Sequence, residues 1–430
     1  MDGLALYLPR VGQPQGLPVP REIPKNYYSK TVIKVRIGMM VKIQEQVVTQ
    51  FVAQFGTRPH FVVRGPGRVN LIGEHTDYND GFVMPMAINR AVWIALRPRP
   101  DHLVTLFSLD MGESATFALH EIQHNQQTWI EYVKGVAWAL QGKGYTLTGW
   151  EGVMAGDVPI GAGLSSSAAV EMAAARAFVA VAGHTWQPAT MARLGQQAEN
   201  QWMGVNSGIM DQMISAAGQA GHALLIDCRN LATEAVPLPP QTAVVILDTS
   251  TRRGLVDSAY NERRVQCDAA AAFFGVTALR DIDMTLFQAR AGELDEVIRR
   301  RAHHVISENE RVLAAQKAMR AGDAVRLGQL MNESHTSLRD DFAVSSSALN
   351  ILVALAQGQP SCYGARMTGA GFGGCAVALV RGDAAAAFAA TVTTAYQQAT
   401  GLTPNLYICQ ATAGAELFVE PTSLEQTSVD

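Results

Sequence analysis

Between Gly67 and Gly81 the chain reads GRVNLIGEHTDYNDG, and Arg68, Glu74, His75, Asp77 and Asp80 all fall inside it. The flanking segments HFVV and FVMPMAI are apolar enough to be half-buried or buried strands. A plain strand-turn-strand connection needs only Gly, Asn and Asp to make its turn. Ionisable groups beyond that need fit a polar site held by two rigid elements, able to bind a charged or polyhydroxylated ligand. A solvated loop accounts equally well for any one of these charges taken singly.

A second stretch, GDVPIGAGLSSSAAVEMAAA (Gly156 to Ala175), runs from a strand through a Gly-rich turn into a helix. Gly161 and Gly163 permit backbone conformations other residues resist. Ser165, Ser166 and Ser167 lie at the helix start, where hydroxyls are expected to cap free N–H groups. Unpaired donors and the positive dipole end suit such a terminus to phosphate. No GxxxxGK[ST] occurs in the chain, so the loop supplies no lysine of its own. Its cation must come from elsewhere, most simply Mg²⁺ held by a serine hydroxyl and a carboxylate. Candidate carboxylates follow in QQAENQWMGVNSGIMDQMISAAG. Pro188 opens a helix that Gly204 closes, placing Glu199 near its end, and Asp211 falls in the first turn of the next helix. An acid in a first turn can also be a dipole partner alone.

Two other patterns carry less. Gly369, Gly371 and Gly374 in MTGAGFGGCAVALV fit GxGxxG, but they precede a strand and open no helix, so the dinucleotide-binding context fails. A loop that lets backbone approach a ligand remains open. His303 and His304 accompany Glu308 in RRAHHVISENE; adjacent histidines point to different helix faces and read as surface residues.

These residues need elements to hold them. A chain of 430 residues accommodates two or three domains, and 48% hydrophobic with 17% charged residues suits a compact fold rather than a disordered or fibrous one. A net charge of −4 with both signs interspersed leaves no electrostatic footprint for nucleic acid. Five scattered cysteines without CxxC spacing point to a reduced cytosolic chain rather than a disulfide framework or zinc site. No uncharged apolar run approaches the ~18 residues of a membrane span. Residues 1–38, punctuated by Pro9, Pro14, Pro18, Pro20 and Pro24, read as a disordered extension or an upstream stretch included by the choice of start codon. From Met39 an amphipathic helix begins, with Val41, Ile43, Val47, Val48, Phe51 and Phe55 at helical spacing. Strands are expected at 60–64, 68–73, 82–88, 91–97, 103–108, 150–156, 222–227, 242–248 and 375–380. Helices are expected at 129–142, 165–182, 188–203, 209–217 and over most of 256–357. The order is neither strictly alternating nor all helical, which gives an α+β fold with two lobes. The expected lobes are 39–215 and 216–410, followed by a flexible tail at 411–430. The absence of coiled-coil heptads favours a monomer.

Four stretches, GRVNLIGEHTDYNDGFVMPMAI, VPIGAGLSSSAAVEMA, NSGIMDQMISAAGQAGHALLIDCR and MTGAGFGGCAVAL, together resemble galactokinases of the GHMP kinase superfamily, in that family's order and across about Lys42 to Gln410. The first stretch is the most specific, because its form separates galactokinases from mevalonate and homoserine kinases. The resemblance implies transfer of phosphate from ATP to D-galactose with Mg²⁺. It implies an N-terminal lobe with a mixed sheet, a C-terminal lobe with an antiparallel sheet, and an active site between them. Carried over by position, Glu74, His75, Asp77, Gly208, Asp211 and Tyr260 would bind the sugar. Gly161, Ala162, Gly163, Leu164, Ser165, Ser166 and Ser167 would wrap the triphosphate, Ser167 and Glu199 would hold Mg²⁺, and Asp211 with Arg68 would flank the anomeric hydroxyl. The partners implied are small molecules alone, galactose and ATP. An N-acetylgalactosamine kinase, or a sensor that binds sugar and ATP without catalysis, are the alternatives. The sequence departs from the family pattern at Ala370, where a glycine is common, at Ser207, where cysteine is frequent, and over its first forty residues.

Overall fold

The structure is a computed structural model that describes residues 43–125, 128–251 and 256–419. The expectations for 1–38 and for the end of the tail fall outside those residues. Helix α1 (Ile43–Phe55) leads into β1 (Phe61–Asn70), β2 (Phe82–Val83), β3 (Pro85–Arg99), β4 (Leu103–Ser108) and β5 (Glu113–Ala118). Then come α2 (Thr128–Gly142), β6 (Gly149–Gly156), α3 (Ser166–Val181), α4 (Pro188–Gln197) and α5 (Met210–Ala217). Strands β7 (His222–Asp227), β8 (Thr233–Pro237) and β9 (Thr242–Asp248) precede helices α6 (Val256–Phe274), α7 (Met284–Arg290), α8 (Glu296–Arg320), α9 (Ala324–Asp340) and α10 (Ser347–Gln357). The chain closes with β10 (Cys362–Thr368), β11 (Cys375–Arg381), α11 (Ala385–Thr400), β12 (Asn405–Cys409) and β13 (Glu416–Val419).

Among the described residues the strands form three sheets. The first has the order β13-β1-β3-β6-β4-β5 and is mixed, because β4 and β6 run parallel while its other neighbours are antiparallel. The second, β10-β11-β9-β12, is wholly antiparallel, and β2-β7-β8 form a small third sheet. One apolar core joins the first sheet to α2 and α3, and a second lies between the antiparallel sheet and helices α6, α8, α10 and α11. The α+β class and the mixed and antiparallel sheets follow the expectation.

The segments expected as separate strands at 60–64 and 68–73 are one strand, β1, whose pairing with β3 shifts register between Pro66 and Arg68. Such a bulge re-aims the residues that follow it, and Arg68 is one of them. On the other side α3 lies unusually close to β1: a Cβ on Gly65 would stand 2.2 Å from the Ala169 carbonyl oxygen and 2.7 Å from the Ala173 nitrogen. Only glycine in the strand, facing the small residues of AAVEMAAA, lets the helix settle at that depth. This packing brings the N-terminus of α3, with its serines, beside Arg68.

Residues 411–419, expected within a flexible tail, are tied to the first sheet instead. Strand β13 pairs with β1, and buried Arg64 is held by Glu416 (2.9 Å), Thr412 Oγ1 (2.9 Å) and the Ala413 carbonyl (3.2 Å). A four-residue strand carries too little alternation to stand out in a sequence, yet it supplies partners for the open edge of β1 and for a buried guanidinium.

Candidate active site

A cavity of about 240 Å³ is lined by Arg68, Glu74, His75 and Asp77 from β1 and the loop after it, by Glu199, Ser207, Gly208 and Asp211 around α4 and α5, and by Tyr260, Gly369 and Ala370. Four of the five ionisable groups in the first stretch therefore meet. Asp80 does not line it; half-buried at the loop's end, it pairs with Arg229 at 3.3 Å.

Arg68 and Asp211 form a two-pronged ion pair, Nε to Oδ1 at 2.7 Å and Nη2 to Oδ2 at 2.8 Å. Arg68 Nη1 donates to the Gly163 carbonyl at 2.5 Å, so one guanidinium ties the carboxylate to the Gly-rich loop. Burial acts against its charge, but Asp211 and Glu74 outweigh this and raise its pKa. In the loop, Gly161 and Gly163 are left-handed and exposed, whereas Ala162 and Leu164 are buried in the core beneath. The anchors point inward and the glycines leave the loop exposed. Ser165 does not cap α3. It sits in the left-handed region (φ 56°) without a side-chain cap, and its hydroxyl donates to Asp211 Oδ2. A non-glycine residue held there costs about 1–2 kcal/mol; the hydrogen bond to Asp211 is what that geometry achieves. Ser166 and Ser167 occupy the first turn of α3 as expected.

Opposite lies a second group. Glu74 is buried, and its Oε1 accepts from the Gly369 N–H (2.7 Å) and Thr368 Oγ1 (2.9 Å), with buried Arg366 Nη1 at 3.5 Å. His75 is left-handed (φ 63°), and its ring packs among Tyr78, Tyr260 and Phe342. Its Nδ1 lies 2.9 Å from the Tyr78 hydroxyl, while its buried Nε2 has no hydrogen-bond partner. Burial, then the nearby His304, pushes His75 down to about 3, so the ring is neutral at pH 7. Burial, then Asp211 and Glu74, pushes Asp77 up to about 7. Gly208 abuts it so closely that a Cβ would fall 1.8 Å from Asp77 Oδ2.

Glu199 follows α4 in a π-helical turn over Ala198–Trp202, a local widening common at functional sites. Its Oε2 accepts from Ser207 Oγ (2.6 Å) and Gln212 Nε2 (2.7 Å), and the nearby Ser167 hydroxyl favours its ionised form. Burial raises its pKa. Across Gln212, whose Nε2 also donates to it at 3.0 Å, lies fully buried Glu171 with Oε1 unpartnered. A hydroxyl and a carboxylate are the hard oxygen donors Mg²⁺ takes, and it fills its other positions with water and substrate phosphate. Among the described residues no group of three or more His, Cys, Asp and Glu could hold a metal.

Several supporting residues escaped the sequence reading. Arg366 and Thr368 hold Glu74; no local pattern marks Arg366, and Thr368 lies in the third Gly-rich stretch, where only the glycines were singled out. His304, expected on the surface, is fully buried behind Glu74, and Glu308 is buried too; only His303 remains partly exposed. Helix α8 packs into the second core and against the loop, so the face bearing 304 and 308 is internal. Two of the departures from the family pattern have a structural account. Ala370 is not in the left-handed region, and Ser207 supplies a hydroxyl to Glu199.

Comparison with known proteins gives the same picture. Residues 49–98 match the galactokinase galactose-binding signature, 131–219 the GHMP kinase N-terminal domain and 315–398 the GHMP kinase C-terminal domain. A galactokinase from Roseiflexus sp. (strain RS-1) is 48% identical over 370 residues, spanning 85% of this chain and 95% of that protein. The crystal structure of Lactococcus lactis galactokinase complexed with galactose superposes with a TM-score of 0.82 at 36% identity, covering 86% of this chain and 98% of that one. Methanococcus jannaschii mevalonate kinase shares the fold alone, with a TM-score of 0.61 at 18% identity over 82% of this chain and 98% of the other. Extended sequence identity, the sugar-binding signature and the shared architecture place this chain in the galactokinase family of GHMP kinases.

Proposed function

We propose that the chain transfers the γ-phosphoryl group of ATP to the anomeric hydroxyl of D-galactose, giving α-D-galactose 1-phosphate and ADP. The observation that carries this is the Arg68–Asp211 pair, which bonds to the Gly-rich loop on one side and opens onto the Glu74, His75 and Asp77 group on the other. Phosphoryl transfer depends on positioning and on neutralising charge spread over the moving group. In this reading the loop from Gly161 to Ser167 cradles the phosphates at the start of α3, where backbone N–H groups are free. Ser167 and Glu199 hold Mg²⁺, which when bound neutralises phosphate charge. Glu74, His75, Asp77, Gly208 and Tyr260 seat the sugar, with the unpartnered His75 Nε2 available to one hydroxyl.

Asp211 then meets O1. Arg68 takes two of its lone-pair positions and Ser165 a third, so the carboxylate is oriented more firmly than a free base would be. It accepts the O1 hydrogen bond, aims the oxygen at phosphorus and takes the proton late, as a loose transition state allows. Arg68 stabilises the developing negative charge. The compartment in this proposal is the cytosol, where ATP is supplied and the five free cysteines stay reduced, and the enzyme works as a monomer.

A coupled ADP-release assay with and without galactose tests the reaction, and a panel of galactose, 2-deoxygalactose and N-acetylgalactosamine tests the sugar. Galactose-dependent ADP release is expected. ADP release that ignores the sugar, or that only N-acetylgalactosamine supports, would overturn the assignment.

A further inference from the structure

We propose that His304 is a positioning residue for the sugar, acting through the Glu74–His75 peptide; the inference rests on the sugar site proposed above. The loop is gripped from behind by two residues one turn apart on α8. Glu308 Oε1 accepts the Gly73 N–H at 2.9 Å, and His304 Nε2 lies 3.1 Å from the Glu74 carbonyl oxygen. A carbonyl only accepts, so His304 carries its proton on Nε2 and donates to Glu74. Its Nδ1 lies 3.0 Å from Ser337 Oγ, whose hydroxyl also donates to Asp341 Oδ2 at 2.9 Å. Burial holds the ring neutral, with a pKa pushed down to about 4, which agrees with a single N–H.

The Glu74 carbonyl is the acceptor just before the left-handed His75, so the His304 bond fixes the peptide whose rotation would release that conformation. A second contact acts on the ring. Phe342 lies between the two imidazoles, its centroid 4.7 Å from His304 and 4.8 Å from His75. His304 is fully buried and absent from the cavity lining, so it cannot touch the substrate. Its effect is on where His75 Nε2 and the Glu74 carboxylate stand when galactose arrives.

Two polar substitutions separate the two ends of the imidazole. Glutamine places its amide near the Nε2 position and can still donate to Glu74; asparagine reaches only as far as Nδ1 and serves Ser337 alone. His304→Asn should weaken galactose binding about 10- to 100-fold, the effect of an unmet buried carbonyl. His304→Gln should stay within about threefold of wild type. Both should keep the KM for ATP, and kcat at saturating galactose, within about threefold, whereas a general loss of structure would move all of these together. Equal galactose affinity in His304→Asn and wild type, or His304→Gln as impaired as His304→Asn, would overturn the inference. Should neither variant fold, the imidazole ¹⁵N shifts of His304 in the wild-type protein decide it: protonated Nε2 supports the inference and protonated Nδ1 refutes it. Wild-type galactose binding is the control. Its absence counts against the reaction proposed above, whereas normal wild-type binding with an unaffected His304→Asn counts against this inference alone.

Discussion

Gly208→Ala adds one methyl group and should remove most of the galactose affinity. The new Cβ would lie 1.8 Å from Asp77 Oδ2 and 2.3 Å from its Cγ, so the carboxylate must retreat by roughly 1.5 Å to reach ordinary separation. The backbone does not object, because Gly208 is not in the left-handed region and alanine can adopt its conformation. Asp77 is the end of a side chain, so rotation relieves the clash without moving a strand or helix. The damage falls on whatever Asp77 binds. A hydrogen bond to a charged group contributes about 1.5–3 kcal/mol, which corresponds to a loss of about 10- to 150-fold. Calorimetric titration with galactose, run beside thermal melts, measures both sides: Kd should rise by that factor while the melting temperature moves little. The double variant with Asp77→Ala supplies the control. Because both changes act on one contact, it should bind no worse than Asp77→Ala alone. Galactose affinity within about threefold of wild type in Gly208→Ala would refute the reasoning, as would additive losses in the double variant.

Asp77, pushed up to about 7 by burial and by Asp211 and Glu74, should make galactose binding pH-dependent. If the ionised carboxylate accepts from the sugar, affinity rises about tenfold between pH 6 and pH 8, following the ionised fraction, and Asp77→Asn flattens the profile; an unchanged slope in that variant contradicts the assignment. The linkage to stability has the opposite sign. The folded form keeps the Asp77 proton above pH 3.8 while the unfolded chain loses it, so the stability from this group declines as pH rises from about 4 to about 7. Urea melts of Asp77→Asn should lack that decline. Glu199→Gln should raise the Mg²⁺ concentration needed for half-maximal rate and lower kcat, with galactose affinity near normal, because an amide binds Mg²⁺ more weakly than a carboxylate; a wild-type Mg²⁺ titration removes Glu199 from the metal site.

What could be read from the sequence was local. Arg68, Glu74, His75 and Asp77 crowd a single loop, and Asp211 follows a Gly-Ile-Met turn into a helix, so residue types and spacing were enough to single them out. What supports them comes from far along the chain: Gly369 reaches Glu74 across 295 residues and His304 across 230. No periodicity predicts such meetings. Ser165 was misread for a different reason. Serine before a helix ordinarily caps it, but a left-handed backbone turned this hydroxyl away from the helix and toward Asp211. The helix of His304 was expected, but which of its faces would be internal depended on elements that pack against it later in the chain. The short strand β13 carried too little pattern to oppose the reading of a tail.

The measurement closest to the central claim is single-turnover phosphoryl transfer to galactose by Asp211→Asn. Asparagine keeps the size of the side chain and one acceptor oxygen, but it cannot take a proton and loses half of the paired contact with Arg68. The transfer rate should fall by roughly 10²–10⁴-fold, with galactose Kd changed by far less. Arg68→Lys, which keeps the charge and loses the planar fork, should fall at least as far if orientation and charge stabilisation dominate over proton removal. A transfer rate in Asp211→Asn within about threefold of wild type, far less than loss of that group should cost, would contradict the account at its centre.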